Sequence, residues 1–153
     1  MYTRPNALAS YGKIANAETN PLMQIVMLYD GAIKFLNLTA TDIENEDLAA
    51  KAEHSRRALD IIHYLQSILD FERGGDVAIS YDNLYRSIMV LVLKASANLD
   101  ADKMRLAAKL LAPVRDAWEI NARNLANNPA ATEFSHPLSI GNQSTTININ
   151  QAA

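Results

Sequence analysis

The stretch NPLMQIVMLYDGAIKFLNLTATDIE, residues 20–44, decides the fold class, because its apolar residues recur at the spacing of one helical face. Leu22, Ile25, Val26, Tyr29, Ala32, Ile33, Leu36, Ala40 and Ile43 step by three, one and four, which gathers them into one stripe of an α-helix. Asn20 stands where an N-cap belongs, and Pro21 takes the first helical position, where its missing N–H leaves no bond unmade. The spacing predicts a helix over Pro21–Glu44. Gly31 inside it costs about 1 kcal/mol relative to alanine, so it is expected to mark a close helix approach.

Three more helices follow. The second is expected from Leu48 to Leu69 behind Asp47, with a heptad row Leu48, Ala52, Ser55, Leu59, Ile62, Gln66, Leu69. A second row, Ala58, Ile61, Leu65 and Ile68, lies beside it. Gly74-Gly75 must break the chain's helical course, since paired glycines enter turn conformations freely. The third helix is expected over Ala78–Asn98. Between Val77 and Leu99 only Asp82, Arg86 and Lys94 are charged, so this helix is expected to be the most enclosed. The fourth runs from Ala101 to Leu125 behind Asp100, with Met104, Ala107, Leu111, Val114, Trp118 and Leu125 in one stripe and a kink expected at Pro113.

Short connections between helices of similar length imply an antiparallel up-down-up-down four-helix bundle, an all-α fold. Residues 1–125 are read as the bundle domain, with 1–19 as an N-terminal arm or short cap helix. Residues 126–153, where Glu133 is the only Asp, Glu, Lys or Arg, are read as a flexible polar tail.

Composition excludes several classes of function. At 153 residues the chain is long enough to bury one core. It has no cysteine, which removes disulfides, thiolate metal sites and thiol nucleophiles. A net charge of −3 argues against nucleic-acid binding. The longest apolar run, Ile88 to Leu93, is far too short to span a membrane, and residues 1–14 carry no signal-peptide core, so a cytoplasmic location is expected. Neither metal nor cofactor is called for. The two Glu-x-x-His pairs of a di-metal bundle are not present: the single Glu-x-x-His, Glu133 to His136, falls in the tail, and Asp60 and His63, at the same spacing with aspartate, are better read as a solvated pair.

Helices two and three carry more large apolar residues than one core-facing stripe needs. The surplus is Ile61, Leu65 and Ile68 on the second and Tyr85, Met89, Val92 and Leu93 on the third, depending on which row faces inward. Such a surplus reads as a binding groove, a fully enclosed central helix or a homodimer seam. Tyr2 and Tyr11, ahead of the bundle, are placed to fold back over such a groove or to serve as an ordinary cap.

Several segments resemble one family. Met1-Tyr2 with Ala9-Ser10-Tyr11, Met27-Leu28-Tyr29-Asp30-Gly31-Ala32, Arg57 to Ile62, Leu69 to Gly75, Leu84-Tyr85 with Ile88-Met89, and Arg115-Asp116-Ala117-Trp118 are similar in order and spacing to the flagellar export chaperone family FliS. The resemblance covers roughly Met1 to Arg123. It implies a non-catalytic cytoplasmic chaperone that binds the disordered C-terminal segment of flagellin, prevents premature polymerisation and presents it to flagellar export gate components. It also implies a lid formed by Tyr2, Leu8 and Tyr11 over part of the client groove. The chain departs from the family pattern after Tyr85, where Val90 to Leu93 replace a more tyrosine-rich, charged run, and beyond Ala126.

Two rival readings follow from the residues. A client-free homodimeric bundle would use helix three as its seam. A histidine phosphotransfer domain would use His63, but the lysine and glycine that should follow are missing.

Overall fold

Each helix starts on a side chain that takes the place of a missing backbone acceptor. The computed structural model describes residues 20–128, and four helices fill them: α1 (Pro21–Glu44), α2 (Leu48–Ser67), α3 (Phe71–Ala97) and α4 (Ala101–Asn127). Asn20 Oδ1 accepts from the Leu22 N–H at 3.1 Å, and Asp47 Oδ1 from Ala50 at 3.0 Å. Asp70 Oδ1 accepts from Glu72 and Arg73, and Asp100 Oδ1 from Lys103. Each such cap is worth about 1 kcal/mol. Residues 1–19 and 129–153, and with them the expected arm, lid and most of the tail, lie outside the described residues.

Two of the connections are built alike. In Asn45-Glu46-Asp47 and Asn98-Leu99-Asp100 the middle residue adopts a left-handed conformation, with φ of 56° at Glu46 and 54° at Leu99. Asp47 N donates to Asp42 O and Glu46 N to Ile43 O; Asp100 N donates to Ala95 O and Leu99 N to Ser96 O. This is the Schellman arrangement, which satisfies the last carbonyls of one helix while aiming the chain into the cap of the next. At the third connection α2 stops at Ser67, two residues before the expected Leu69, and the chain turns through Ile68 and buried Leu69 into the Asp70 cap.

Connections this short force neighbouring helices antiparallel, and the result is the expected up-down-up-down bundle. α1 packs extensively on α2 and α4, and α3 closes the ring more sparsely against the same two. Ile25, Tyr29, Leu36, Ile62, Leu65, Tyr85, Ile88, Leu111 and Trp118 make up the centre of the core. Gly31 is buried within α1.

The most enclosed helix is α1, which corrects the expectation for helix three. α1 buries eleven residues, whereas the longer α3 buries five. Leu28 and Phe35 widen the apolar face of α1 beyond one stripe, so it fills the space between α2 and α4. α3 meets its neighbours along a narrower line. The break at the paired glycines is present: α3 begins seven residues earlier than expected, with a turn from Phe71, and leaves helical geometry at Gly75, whose φ of 50° and ψ of −128° suit only glycine. α4 continues through Pro113 to Asn127, so the proline removes a hydrogen bond without ending the helix. Among the described residues no helix is long and apolar enough to cross a membrane.

Candidate functional site

The seven residues expected to line a groove separate into two sets. Ile61, Leu65, Tyr85 and Val92 are sealed in the core, at 0–2 % exposure, so an outer groove in the folded bundle cannot be lined by them. The physical reason on α2 is that both of its apolar rows are used. His54, Ala58, Ile61, Leu65 and Ile68 share one row, and His54 on that row stacks on Phe35 and lies 2.6 Å from Asp42, both of α1. That row therefore faces α1. On α3, Tyr85 and Val92 fall on the stripe that points to the bundle axis. Ile68 and Met89 are half-buried against the core, and Leu93 is 56 % exposed. Tyr2, Leu8 and Tyr11 lie outside the described residues.

What α3 leaves uncovered is its two flanks. On the α2 side, Gln66 Nε2 donates to Asp82 Oδ1 at 2.8 Å, and Lys51 Nζ donates to the Ser96 carbonyl at 3.1 Å. These two ties fix the antiparallel register. Between them, helical spacing sets Leu59 opposite Met89, and Leu93 beside Ala52, with exposed Leu48 at the end of the row. Arg86, paired with Asp82 at 2.9 Å, and exposed Val90 and Ile79 border this seam.

On the α4 side, Tyr81 lies 6.1 Å from the Trp118 ring. Arg105 and Arg115 reach from α4 to Glu44 and Asp30 of α1, so the opposite flank of α4 turns toward α3. That flank carries Leu106, Leu110, Pro113 and Ala117, with Ile120 at its outer edge. Across the seam stand Val77, Ser80, Leu84, Ser87 and Leu91 of α3. Leu106, Leu110, Ile120 and Val77 are exposed, while Leu84, Leu91 and Val114 are half-buried. These residues are uncharged, and the rows end one turn further on at exposed Lys94 of α3 and Lys103 of α4. Sequence reasoning missed this second seam because it credited α4 with a single stripe. The signal was present in the steps of four, three and four from Leu106 to Ala117.

Beneath both seams sits a box of aromatic rings. Tyr29 and Tyr85 join hydroxyl to hydroxyl across the bundle from α1 to α3, with Tyr81 and Trp118 against them. Burial, and then the neighbouring Tyr85, pushes the Tyr29 hydroxyl well above the ordinary tyrosine range; burial does the same to Tyr85. Both are neutral hydrogen-bonding groups at any physiological pH. Arg115 is held by Asp30, Glu119 and Asp116, and the hydrogen bond to Asp30 leads in raising its pKa. Among the described residues no group of histidines and carboxylates is arranged to hold a metal ion.

The chain is 31 % identical over 124 residues to the flagellar secretion chaperone FliS of Salmonella typhimurium, covering 78 % of this chain and 91 % of that protein. It is 28 % identical over 103 residues to the flagellar secretion chaperone FliSB of Pseudomonas aeruginosa, covering 67 % and 82 %. With FliS of Bacillus subtilis it shares 28 % over 116 residues, covering 74 % and 84 %. Residues 4–124 match the family described as flagellar protein FliS, a span that takes in the whole bundle except the last turn of α4, and the chain belongs to that family.

Proposed function

We propose that the protein is a cytoplasmic export chaperone, without catalytic activity, that binds the disordered C-terminal segment of flagellin and delivers it to flagellar export gate components. The observation that carries this reading is the pair of apolar flanks on α3. Val90, Leu93, Leu106, Leu110 and Ile120 are each 42 % exposed or more on helices whose core faces are already satisfied. Amphipathic segments of a client can lay their apolar faces into such seams, as helix-in-groove recognition requires. Met89, Leu93 and the neighbouring Leu59 form the client groove on one flank, and Leu106 and Leu110 extend it on the other. Covering a few hundred Å² of apolar surface at about 25 cal/mol per Å² contributes several kcal/mol. The ordering of a disordered client offsets part of that gain, leaving a complex that can be released. Tyr2, Leu8 and Tyr11 serve as a lid over the empty groove.

Calorimetric titration with the C-terminal segment of a flagellin from the same organism tests this. Binding is expected, and Leu93→Glu and Leu110→Glu should each weaken it by an order of magnitude or more while helicity is kept. The absence of binding, or unchanged affinity in both variants, would overturn the reading. Sedimentation with and without the peptide separates it from a client-free homodimer, which would stay dimeric and ignore the peptide.

A further inference from the structure

We infer that the far end of the α3/α4 seam holds the client by its terminal α-carboxylate, between Lys94 and Lys103. The inference rests on the proposed binding of a flagellin C-terminal segment and adds to it the residues that read the chain end. Its first ground is charge. The rows of the seam run uncharged from Val77 and Ile120 to Leu91 and Leu106, then end on the two lysines, both exposed. Among the described residues no carboxylate lies within ion-pair distance of Lys94. Lys103 reaches only Asp100, at 3.8 Å, and that carboxylate already caps α4 by accepting the Lys103 N–H. Asp102 sits beside Arg105, which is turned to α1. Two cations thus share one occupied carboxylate, in a chain whose net charge is −3.

The second ground is that the fold gains nothing from Lys103. A cation in the first turn of a helix opposes the helix dipole, and Lys103 stands in the first turn of α4. Lys94, in the last turn of α3, suits its own helix but is repelled by a second lysine across the seam. An anion placed between them turns that repulsion into attraction.

The third ground is fit. From Leu106 to Lys103 is roughly 4.5 Å of helix, and one residue of extended chain spans roughly 3.5 Å. A client whose last apolar side chain is seated against Leu91, Leu106 and Leu110 therefore brings its chain end to the lysines. At the opposite mouth the rows offer Val77, Ala117 and Ile120 with no cation, and Asp76 adjoins Val77. The client accordingly lies with its free end toward the Leu99 corner, parallel to α3.

The test uses a flagellin C-terminal peptide from the same organism in two forms, one with a free terminal carboxylate and one with a terminal amide, titrated calorimetrically into the full-length protein. In about 0.01 M salt the free acid is expected to bind about fivefold more tightly, the upper end for an exposed ion pair, and the difference should shrink as added salt screens it. Lys94→Gln and Lys103→Gln should each reduce the difference and together abolish it. Lys34→Gln, which removes the same charge at an exposed site on α1, should leave it intact. Equal binding of acid and amide would overturn the inference while leaving the flagellin reading in place. So would a preference that survives in the double variant, because the carboxylate would then meet another group, or one lost equally in Lys34→Gln, because net charge alone would be at work. Binding of neither form would bring down the flagellin reading and this inference with it.

Discussion

α1 and α3 are both rich in large apolar residues, yet the bundle treats them oppositely. α1 is gripped from two sides: Asp42 by His54 of α2, Glu44 by Arg105 and Asp30 by Arg115 of α4, and the α1 cap Asn20 donates to the Ala122 carbonyl at 2.7 Å. α3 is tied to its partners by Gln66–Asp82, Lys51–Ser96 and the Tyr29–Tyr85 hydroxyl pair. The two helices are held by similar numbers of polar ties; what separates them is packing, because α1 lies along both α2 and α4 while α3 meets the same two sparsely. Hydrophobic content alone therefore does not tell a structural helix from a binding helix; how much of its circumference the neighbours cover does.

The largest effects should come from two neighbours on α3. Val92→Glu puts a carboxylate where Val92 is fully buried and should cost about 3 kcal/mol or more. Leu93→Glu, one residue on and exposed, should stay within about 0.5 kcal/mol. Urea unfolding followed by circular dichroism compares them, and equal losses would erase the distinction between core stripe and flank. Next, Leu36→Ala on α1 should cost about 2–5 kcal/mol, because Leu36 is wholly enclosed, and half-buried Leu91→Ala on α3 clearly less. Amide exchange should likewise run faster along α3 than along α1.

Tyr29→Phe sharpens the comparison at the one point where the two helices meet through polar atoms. It should cost about 1–3 kcal/mol at neutral pH by stripping the buried Tyr85 hydroxyl of its partner. The pH dependence has a definite sign. The folded-state pKa values of Tyr29 and Tyr85 lie above the unfolded value of 10.0, so their contribution is complete below pH 10 and declines as pH rises past it. The urea midpoint should therefore fall above pH 10, and less steeply in Tyr29→Phe. Gly75→Ala at the head of α3 should have a modest effect, though larger than that of Leu93→Glu. An added Cβ meets nothing within 4 Å, so only backbone strain opposes it, about 1–3 kcal/mol, read from the urea midpoint.

How much of this could be read in the residues depends on the range over which each cause acts. The bounds of α1, Pro21–Glu44, and the Asn20, Asp47 and Asp100 caps were legible because capping and periodicity are local. The break at Gly75 was legible for the same reason. Which row faces which neighbour was not. α2 shows two apolar rows, and spacing cannot reveal that the one holding Ile61 and Leu65 is claimed by Phe35 and its surroundings on α1. The enclosure of α1 also depends on how α2 and α4 pack along it, which brings together residues as far apart as Asp30 and Arg115. On α4 the flank from Leu106 to Ala117 mixes leucine with proline and alanine, and its exposure follows only once Arg105 and Arg115 are seen to turn the other way.

The bond from Asn20 to Ala122 brings the first and last turns of the described chain to the same pole, with the Glu46 and Leu99 corners at the other. The two extensions beyond residues 20 and 128 thus emerge side by side. A circular permutant that joins them through a short linker and opens the chain at either distant corner should keep the bundle. Reporters placed at those corners would leave the shared exit unobstructed, whereas a bulky group attached beside residue 20 or residue 128 would crowd it.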